Sequence, residues 1–468
     1  MMIKHNLLTP DFQKNLRSII SIAMGNIRKI TFKVTLVFLF IQVFSTSPLF
    51  SQVNNKIKPL IDKDSSRLVE IFKDIHQNPE IAFTEVRTSG IIANELTRLG
   101  YQVLTGFGKT GLAGIFKNGA GPVVMYRADM DCNAVKEITN LPYASTKTMV
   151  NADGAEVPLM HACGHDAHVT WLLGIAKLMM SIKSQWKGTL VFLAQPAEEI
   201  IQGAQAMIND KMYEKGVPVP DYLFGMHTWP IPVGTIYNGK GERFAGSDQL
   251  DVTFFGIGGH GASPEVTKDP IVMASNAVMQ YQTIISRNIA AQEAAVLTVG
   301  SFQAGNSNNV IPPSATLKLN LRWFNDKTRS ILLDGIKNIN TGIAVANNLP
   351  ESLYPKINMK ATVSPLINND KMQTRINLSL QSILAPDNII SNTPAVMVSE
   401  DFQNLIGTNK TAYDYIFVGI ANESFIAKAK AEGKKYPFYN HNGNYQVDLA
   451  AIPLGVLIGA TSLLELLK

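Results

Sequence analysis

The stretch WLLGIAKLMMSIKSQWKGTLVFLAQ, residues 171–195, decides the fold class of this chain. Its first half is apolar over the length of a buried helix, and after a short polar break GTLVFLAQ is an apolar run typical of a buried strand. The stretches PVVMYRADMD (122–131) and DYLFGMHT (221–228) resemble this strand. Strands that alternate with helices in this way predict an α/β sheet with helices on both faces.

A different pattern begins near residue 246. An alternating strand (SDQLDVTFFGIGG) is followed by a helix, two strands, a second helix and a last strand (KINMKATVSP). This β-α-β-β-α-β order is ferredoxin-like, with antiparallel strands. We therefore predict that residues 52–245 and 365–468 form one α/β domain, which is interrupted by a small α+β insert over residues 246–364.

The positive net charge of the chain lies in its first 51 residues. The whole chain carries +5, and residues 1–51 carry six Lys or Arg against one acidic residue, Asp11, so residues 52–468 balance to zero. The remainder therefore offers no basic surface that predicts binding to nucleic acid. The order of segments in this region is typical of a signal peptide: basic residues come first, then the apolar run VTLVFLFIQVF (34–44), then a stretch of small and polar residues.

We predict that residues 1–51 are a leader that is removed on export, which places the mature protein in the periplasm or outside the cell and off the membrane. The alternative is an uncleaved membrane anchor. The apolar run is short for that role, because a helix that spans a bilayer needs about 20 apolar residues.

The stretch MHACGHDAH, residues 160–168, concentrates possible metal ligands. Gly164 stands between Cys163 and His165 and lets the backbone turn so that both side chains face one point. Zinc, manganese, nickel and cobalt all accept Cys, His and Glu ligands. A structural zinc site is disfavoured because the chain has only two cysteines, Cys132 and Cys163, whereas such sites use paired Cys and His ligands. We expect no disulfide between these cysteines.

Further candidates follow the predicted strands. Glu198 and Glu199 come just after GTLVFLAQ, and His227 ends DYLFGM. The carboxyl ends of strands in an open α/β sheet converge, so these side chains are predicted to meet. Neighbouring carboxylates can divide two tasks, one binding metal and the other moving protons. The alternative for this pair is an exposed acidic turn.

The chain resembles a metallo-amidohydrolase and peptidase family that includes hippurate hydrolases, auxin-conjugate (IAA-amino acid) hydrolases, carboxypeptidases and aminoacylases. The resemblance covers the chain from about Ser65 to its end. It rests on nine motifs in the family's order: HQNPEIAFTE, YRADMD, HACGHDAH, QPAEE, GMHTWP, GGHGASP, NNVIPPSATL, SEDF and YNHNGNY.

The resemblance implies a zinc-peptidase-like catalytic domain, whose mixed sheet is covered by helices, and a ferredoxin-like lid or dimerisation domain. It implies two divalent metal ions of open identity (Zn²⁺, Mn²⁺, Ni²⁺ or Co²⁺) and a homodimer through the insert. Glu198 resembles the general base, His260 the oxyanion stabiliser, and Asn309 and Arg322 the residues that orient the substrate. The implied metal ligands are Cys163, His165, Glu199, His227 and His441.

Other polar residues of these motifs are predicted to support the ligands. Asp129, Asp131 and Asp166 are candidate acids behind them, with Asp166 the best placed to orient a ligand. His161 and His168 are either such supports or packing residues.

We therefore predict a metal-dependent hydrolase that cleaves the amide bond of N-acyl amino acids or related small amides. The alternatives are an exported dipeptidase or carboxypeptidase and, as a different class, a non-catalytic binding protein on the same fold. Ala194 and Ile200 stand where family members usually have Phe and Gly, so the resemblance does not carry a substrate preference.

Overall fold

The computed structural model describes residues 47–151 and 154–468, and only the backbone of residues 47–55. The chain divides into Met1–Ile57 and Lys58–Lys468, and the second unit is described below. Residues 1–46 of the predicted leader lie outside the described residues, so its removal and the export of the protein stay predictions. No helix of the described part combines the length and the apolar character needed to cross a membrane.

The helices follow the amphipathic and apolar stretches of the sequence. In chain order they are α1 (Ser47–His76), α2 (Val86–Leu99), α3 (His165–Ser181), α4 (Gly203–Asn209), α5 (Pro270–Thr283), α6 (Asp326–Ala346), α7 (Asp370–Leu380), α8 (Glu423–Ala431) and α9 (Ala451–Leu466).

The strands form one large sheet, one sheet of four strands and three short pairs. In chain order they are β1 (Gln102–Phe107), β2 (Gly111–Asn118), β3 (Val123–Asp129), β4 (Thr148–Val150), β5 (Glu156–Pro158), β6 (Gly188–Gln195), β7 (Tyr222–Pro232), β8 (Ile236–Tyr237), β9 (Gly241–Phe244), β10 (Gly246–Phe255), β11 (Gly259–His260), β12 (Val296–Ala304), β13 (Val310–Ile311), β14 (Ser314–Trp323), β15 (Lys356–Val363), β16 (Leu366–Asn368), β17 (Ile389–Ile390) and β18 (Ala412–Ala421).

The large sheet is mixed and has the order β1-β2-β6-β3-β7-β18-β8-β17. Its centre is parallel, since β3 pairs in parallel with β6 and β7, and β7 with β18. Every residue of β6 is buried, which fits the apolar run from which it was predicted. Helices α3 and α9 lie against each other, and the Trp171 indole N–H of α3 donates to the Ala451 carbonyl of α9 at 3.1 Å.

The insert contains the second sheet, with the order β12-β14-β10-β15 and antiparallel pairs throughout. Numbered within the insert this is 2-3-1-4, which is the ferredoxin-like arrangement that its element order predicted. Helices α5 and α6 cover one face, and their apolar residues share a core with Leu250, Leu317 and Trp323. The first strand, β10, pairs directly with the last, β15, and Ser247 stands opposite Val363.

The predicted fold class, an α/β fold with a mixed sheet covered by helices, is confirmed. Two details differ from the sequence analysis. Strand β7 continues to Pro232, so His227 lies inside the strand and not at its end. Helix α9 and the edge strand β1 were not predicted.

Candidate metal centre

The turn that carries Cys163 is fixed by its neighbours. Gly164 precedes α3 with a φ of +80°, in the left-handed region. A Cβ atom there would strike the Thr228 hydroxyl and lie 3.0 Å from the Tyr445 hydroxyl oxygen. These groups are needed in place, because Tyr445 donates to Thr228 Oγ1 at 2.7 Å and Thr228 donates to the Cys163 carbonyl at 2.9 Å. Conformation and space therefore both require glycine at residue 164.

The other candidate ligands come from distant segments. Glu198 and Glu199 follow β6, and His227 lies on β7, the strand on the other side of β3, so the parallel centre of the sheet brings the three residues to the same region. His441 lies in the loop before α9 with a φ of +64°, and its N–H donates to the carbonyl of Ala162 at 2.8 Å. This hydrogen bond ties the loop to the turn that carries Cys163.

The candidate ligands form overlapping groups whose donor atoms all lie within 4.8 Å of one another. Cys163 belongs to one group with His165 and His227, and to another with Glu199 and His441. The Cys163 sulfur is 3.5 Å from His227 Nε2, and His441 Nε2 is 3.1 Å from Glu199 Oε2. One sulfur is thus shared by two adjacent sets of ligands. The five predicted metal ligands meet in the structure.

His165 Nε2 and Glu199 Oε1 are among the buried atoms of these groups that have no hydrogen-bond partner in the described residues. They are 3.8 Å apart, and the nearest carboxylate oxygens of Asp129 and Glu198 are 3.5 and 3.9 Å from the same nitrogen. Buried polar atoms are normally paired, and N, O and S donors at this spacing fit a divalent cation. The residues present therefore fit a metal centre.

The charges of the site favour metal ligation. Burial and the charge of Glu199 act to raise the pKa of the Cys163 thiol, but His227 and His165 beside the sulfur outweigh them and lower the pKa to about 6. The thiolate is the form that binds metal. Hydrogen bonds to Cys163 and Glu199 raise the pKa of His441 to about 10, so a metal ion that binds His441 would displace its proton.

Glu198 differs from Glu199 in its surroundings. Burial raises the pKa of Glu198 well above its usual range, and the charges of Glu400 and Glu199 add to the effect. The pKa of Glu199 is lowered, because His441 and His165 outweigh the effect of burial. One carboxylate is thus suited to hold a cation and its neighbour to take up a proton.

A buried ionic network under the site was not identified from the sequence. The Arg127 guanidinium donates to Asp129 Oδ2 at 2.7 Å and to Glu400 Oε1 at 2.8 Å, and it also contacts Tyr415 and Gln195. Arg127 belongs to the motif YRADMD and Glu400 to the motif SEDF. The two residues are 273 positions apart in the sequence, so neither motif predicts that they pair.

Asp129 and Asp131 lie next to candidate ligands. Asp129 Oδ1 is 2.5 Å from His168 Nδ1, and His168 Nε2 accepts the backbone N–H of Thr228 at 2.9 Å. Burial lowers the pKa of His168 to about 3, which keeps the ring neutral in this supporting position. Asp131 Oδ2 accepts the backbone N–H of Glu199 at 2.9 Å, and its Oδ1 is 3.3 Å from His165 Nδ1.

Asp166 requires a correction, since its carboxylate faces a residue other than a candidate ligand. Its Oδ2 is 2.6 Å from His76 Nδ1, and Glu137 Oε1 is 3.2 Å from the other nitrogen of that ring. The buried His76 is thus held between two carboxylates. His161, also buried, has no hydrogen-bond partner for either ring nitrogen among the described residues, and burial lowers its pKa to about 4.

The three predicted residues of the insert lie outside the ligand groups. His260 is exposed, and its Nδ1 accepts the Ala262 N–H at 3.0 Å. Asn309 lies close to His260, because its carbonyl accepts the backbone N–H of Gly261, the residue that follows His260, at 2.8 Å. Arg322 is half-buried and donates to the Ser399 hydroxyl, next to Glu400.

Comparison with known proteins finds relatives over most of the chain. Residues 125–437 match Peptidase family M20/M25/M40. The chain is 36% identical over 376 residues to a hippurate hydrolase of Campylobacter jejuni subsp. jejuni, which covers 79% of this chain and 94% of that protein. It is 30% identical over 454 residues to IAA-amino acid hydrolase ILR1-like 2 of Arabidopsis thaliana, which covers 95% of this chain and 96% of that protein.

Among solved structures, the YXEP protein of Bacillus subtilis, described as a dinuclear metal binding peptidase from the M20 family, matches with a TM-score of 0.69 and 25% identity. The match covers 87% of this chain and 99% of that one. The resemblance inferred from the nine motifs is thereby confirmed. The chain belongs to peptidase family M20/M25/M40 and is a metal-dependent amidohydrolase.

Proposed function

We propose that this enzyme hydrolyses the amide bond of N-acyl amino acids with two divalent metal ions and Glu198 as general base. One observation carries the proposal: the Cys163 sulfur belongs to two adjacent sets of ligands, and Glu198 lies beside them. The names of the relatives support the substrate class, since hippurate and IAA-amino acids are N-acyl amino acids.

The ligand groups suggest how two ions would be held. Cys163, His165 and His227 would hold one ion, and Cys163, Glu199 and His441 would hold the other. Such ions polarise an amide carbonyl and lower the pKa of a water molecule, which strengthens it as a nucleophile.

Glu198 then performs the proton transfers. Its carboxylate takes a proton from the attacking water and delivers it to the nitrogen of the leaving amine. A raised pKa suits both steps, because the group must hold the proton between them. Glu400, held by Arg127, keeps a negative charge close to Glu198 and so strengthens it as a base.

The insert completes the proposed site. His260 would stabilise the oxyanion, while Asn309 and Arg322 would orient the substrate, with Arg322 binding its free carboxylate. In support, the guanidinium of Arg322 is half-buried, and its hydrogen-bond partners Asn320 and Ser399 are neutral. His260 is exposed in this conformation, so it would act after closure of the insert or from a second copy of the chain.

A homodimer through the insert is part of the proposal. Strand β12 is an edge of the insert sheet, and its sequence VLTVGSFQA has no charged residue. The other edge, β15, carries Lys356 and Lys360, and lysines on edge strands discourage pairing between chains. Light scattering on the purified protein tests the dimer, and a Phe302→Lys variant should be monomeric if β12 is the interface.

The test of the catalytic proposal is a pair of isosteric variants. Glu198→Gln should keep the metal content of the wild type and lose at least about a thousandfold in kcat, a large effect for a general base. Glu199→Gln should lose metal as well as activity. Metal content by elemental analysis and turnover of N-benzoylglycine distinguish the two. Wild-type turnover in Glu198→Gln would contradict the assignment, and faster hydrolysis of dipeptides than of N-acyl amino acids would favour a dipeptidase.

A further inference from the structure

His441 is held less firmly by packing than the other candidate ligands. Its side chain is 55% exposed, whereas those of His165 and Glu199 are 0% and 9% exposed. His441 also has a φ of +64°, a left-handed conformation that is unfavourable for a residue other than glycine. A buried ligand is fixed by the side chains around it, but an exposed ligand depends on what holds its backbone. The contacts of this loop therefore decide where the imidazole lies.

The loop of His441 rests against residues 136–145, which we call the brace. The backbone N–H of Ile138 donates to the carbonyl of Gly443, two residues after His441, at 2.8 Å. The two segments fit closely, because a Cβ atom at Gly443 would lie 2.2 Å from the carbonyl oxygen of Lys136. The brace thus fixes the backbone of the loop next to the ligand.

The carboxylate of Glu137 gives the brace its shape. Residues 136–145 form no helix and no strand, so no ladder of backbone hydrogen bonds supports them. Instead, Glu137 Oε2 accepts the backbone N–H of Ser145 at 2.6 Å, and Oε1 accepts the hydroxyl of Thr139. Oε1 is also 3.2 Å from Nε2 of the buried His76, the last residue of α1. One carboxylate therefore folds the brace and attaches it to a helix.

We propose that Glu137 is a positioning residue for the metal ion held by Glu199 and His441. Glu137 folds the brace, the brace holds Gly443, and Gly443 fixes the loop that presents His441. This inference rests on the proposed function, because it requires that two ions bind. It adds a residue that belongs to none of the ligand groups.

The other proposed ion depends on different parts of the fold. His165 lies in the first turn of α3 and His227 lies inside β7, and both side chains are buried. Regular hydrogen bonding and packing hold these two ligands in place. A change in the brace should therefore weaken one ion and spare the other, whereas a general loss of stability would weaken both.

The experiment titrates the metal-free full chain with Mn²⁺ and measures both binding steps by calorimetry. Glu137→Gln keeps the size of the side chain, but its amide NH₂ must face a donor, either the N–H of Ser145 or the ring of His76. We expect the affinity for one ion to fall by about tenfold to a hundredfold, as is typical when a supporting partner of a metal ligand is lost. The affinity for the other ion should stay within about twofold of the wild type. Electron paramagnetic resonance should show single Mn²⁺ ions in place of a coupled pair.

A second variant disturbs the same contact from the opposite side. Gly443→Ala leaves Glu137 and His76 untouched, but its methyl group would push the loop away from Lys136. The same selective loss of one ion is expected.

Each variant has a matched control. Gly342→Ala lies in α6, where a Cβ atom meets nothing within 4 Å. Glu156→Gln is exposed, and its carboxylate contacts only the hydroxyl of Thr148 among the side chains and N–H groups of the described residues, at 2.6 Å. Both controls should bind two ions as the wild type does.

Three results would overturn the proposal: wild-type affinities in Glu137→Gln or in Gly443→Ala, an equal weakening of both ions, or the same loss in a control. The measurement does not depend on turnover. A wild type that binds two ions and hydrolyses no N-acyl amino acid would refute the proposed substrate and leave the role of Glu137 to be decided by the titration. A wild type that binds a single ion would overturn both.

Discussion

His76 should make the stability of this protein depend on pH between neutral and alkaline conditions. Its ring is buried between the carboxylates of Asp166 and Glu137. Burial opposes protonation of His76, but the two carboxylates outweigh it and raise the pKa from 6.5 to about 9. The perturbation is His76→Gln, which keeps a neutral polar side chain and removes the titrating group.

The magnitude follows from the two pKa values. Each pKa unit between folded and unfolded states corresponds to about 1.4 kcal/mol, so protonated His76 contributes about 3 kcal/mol. The folded pKa lies above the unfolded one, so this contribution is complete below about pH 6.5 and is lost as the pH rises through 9. The stability difference between wild type and His76→Gln should therefore shrink by about 3 kcal/mol from pH 6 to pH 10.

Urea unfolding of both proteins across this pH range measures the difference. A chelator should be present throughout, so that pH-dependent metal binding does not add to the result. His260→Gln is the matched control, because His260 is exposed and its replacement should leave the difference flat. A constant difference between wild type and His76→Gln from pH 6 to pH 10 would refute the proposed charge on the ring.

Three further changes have definite expected outcomes. Cys163→Ala should lose both metal ions by elemental analysis, whereas Cys132→Ala should keep them, because only the first sulfur belongs to the ligand groups. Gly164→Ala should lower the melting temperature and the metal affinity together. An alanine in the left-handed conformation costs about 1–2 kcal/mol, and its methyl group would displace Thr228. An unchanged metal affinity would contradict the packing argument. Arg127→Met should destabilise the protein by about 3–5 kcal/mol in thermal or urea unfolding, because it leaves buried carboxylates without their cation, and a loss below 1 kcal/mol would count against that network.

Local sequence was sufficient to predict those parts of the structure that depend on residues close together in the chain. The apolar run of β6 predicted a buried strand, and every residue of it is buried. The pair Cys163 and His165 could be identified because one glycine between two possible ligands has a direct structural meaning. The same holds for the carboxylates that follow β6, since the end of a strand fixes where they emerge.

Contacts between segments that are distant in the sequence could not be predicted from local sequence. The partner of Arg127 could not be read from the sequence, because the ion pair with Glu400 depends on which strands become neighbours. Asp166 was expected to orient a ligand because it adjoins His165, but as an early residue of α3 it points towards His76. His441 could be named only by resemblance, since its loop has no pattern of its own.

The insert enters and leaves the rest of the chain at one place. Because Ser247 pairs with Val363 across neighbouring strands, the two crossing points lie about 5 Å apart. For the α/β part of the chain, the insert of more than a hundred residues therefore replaces a short connection between two neighbouring points. Evolution could exchange such a module without disturbing the sheet, and a protein engineer could replace it with a two-residue turn. The shortened chain would keep every candidate metal ligand and lose Arg322, so ion binding and substrate recognition would become separately measurable.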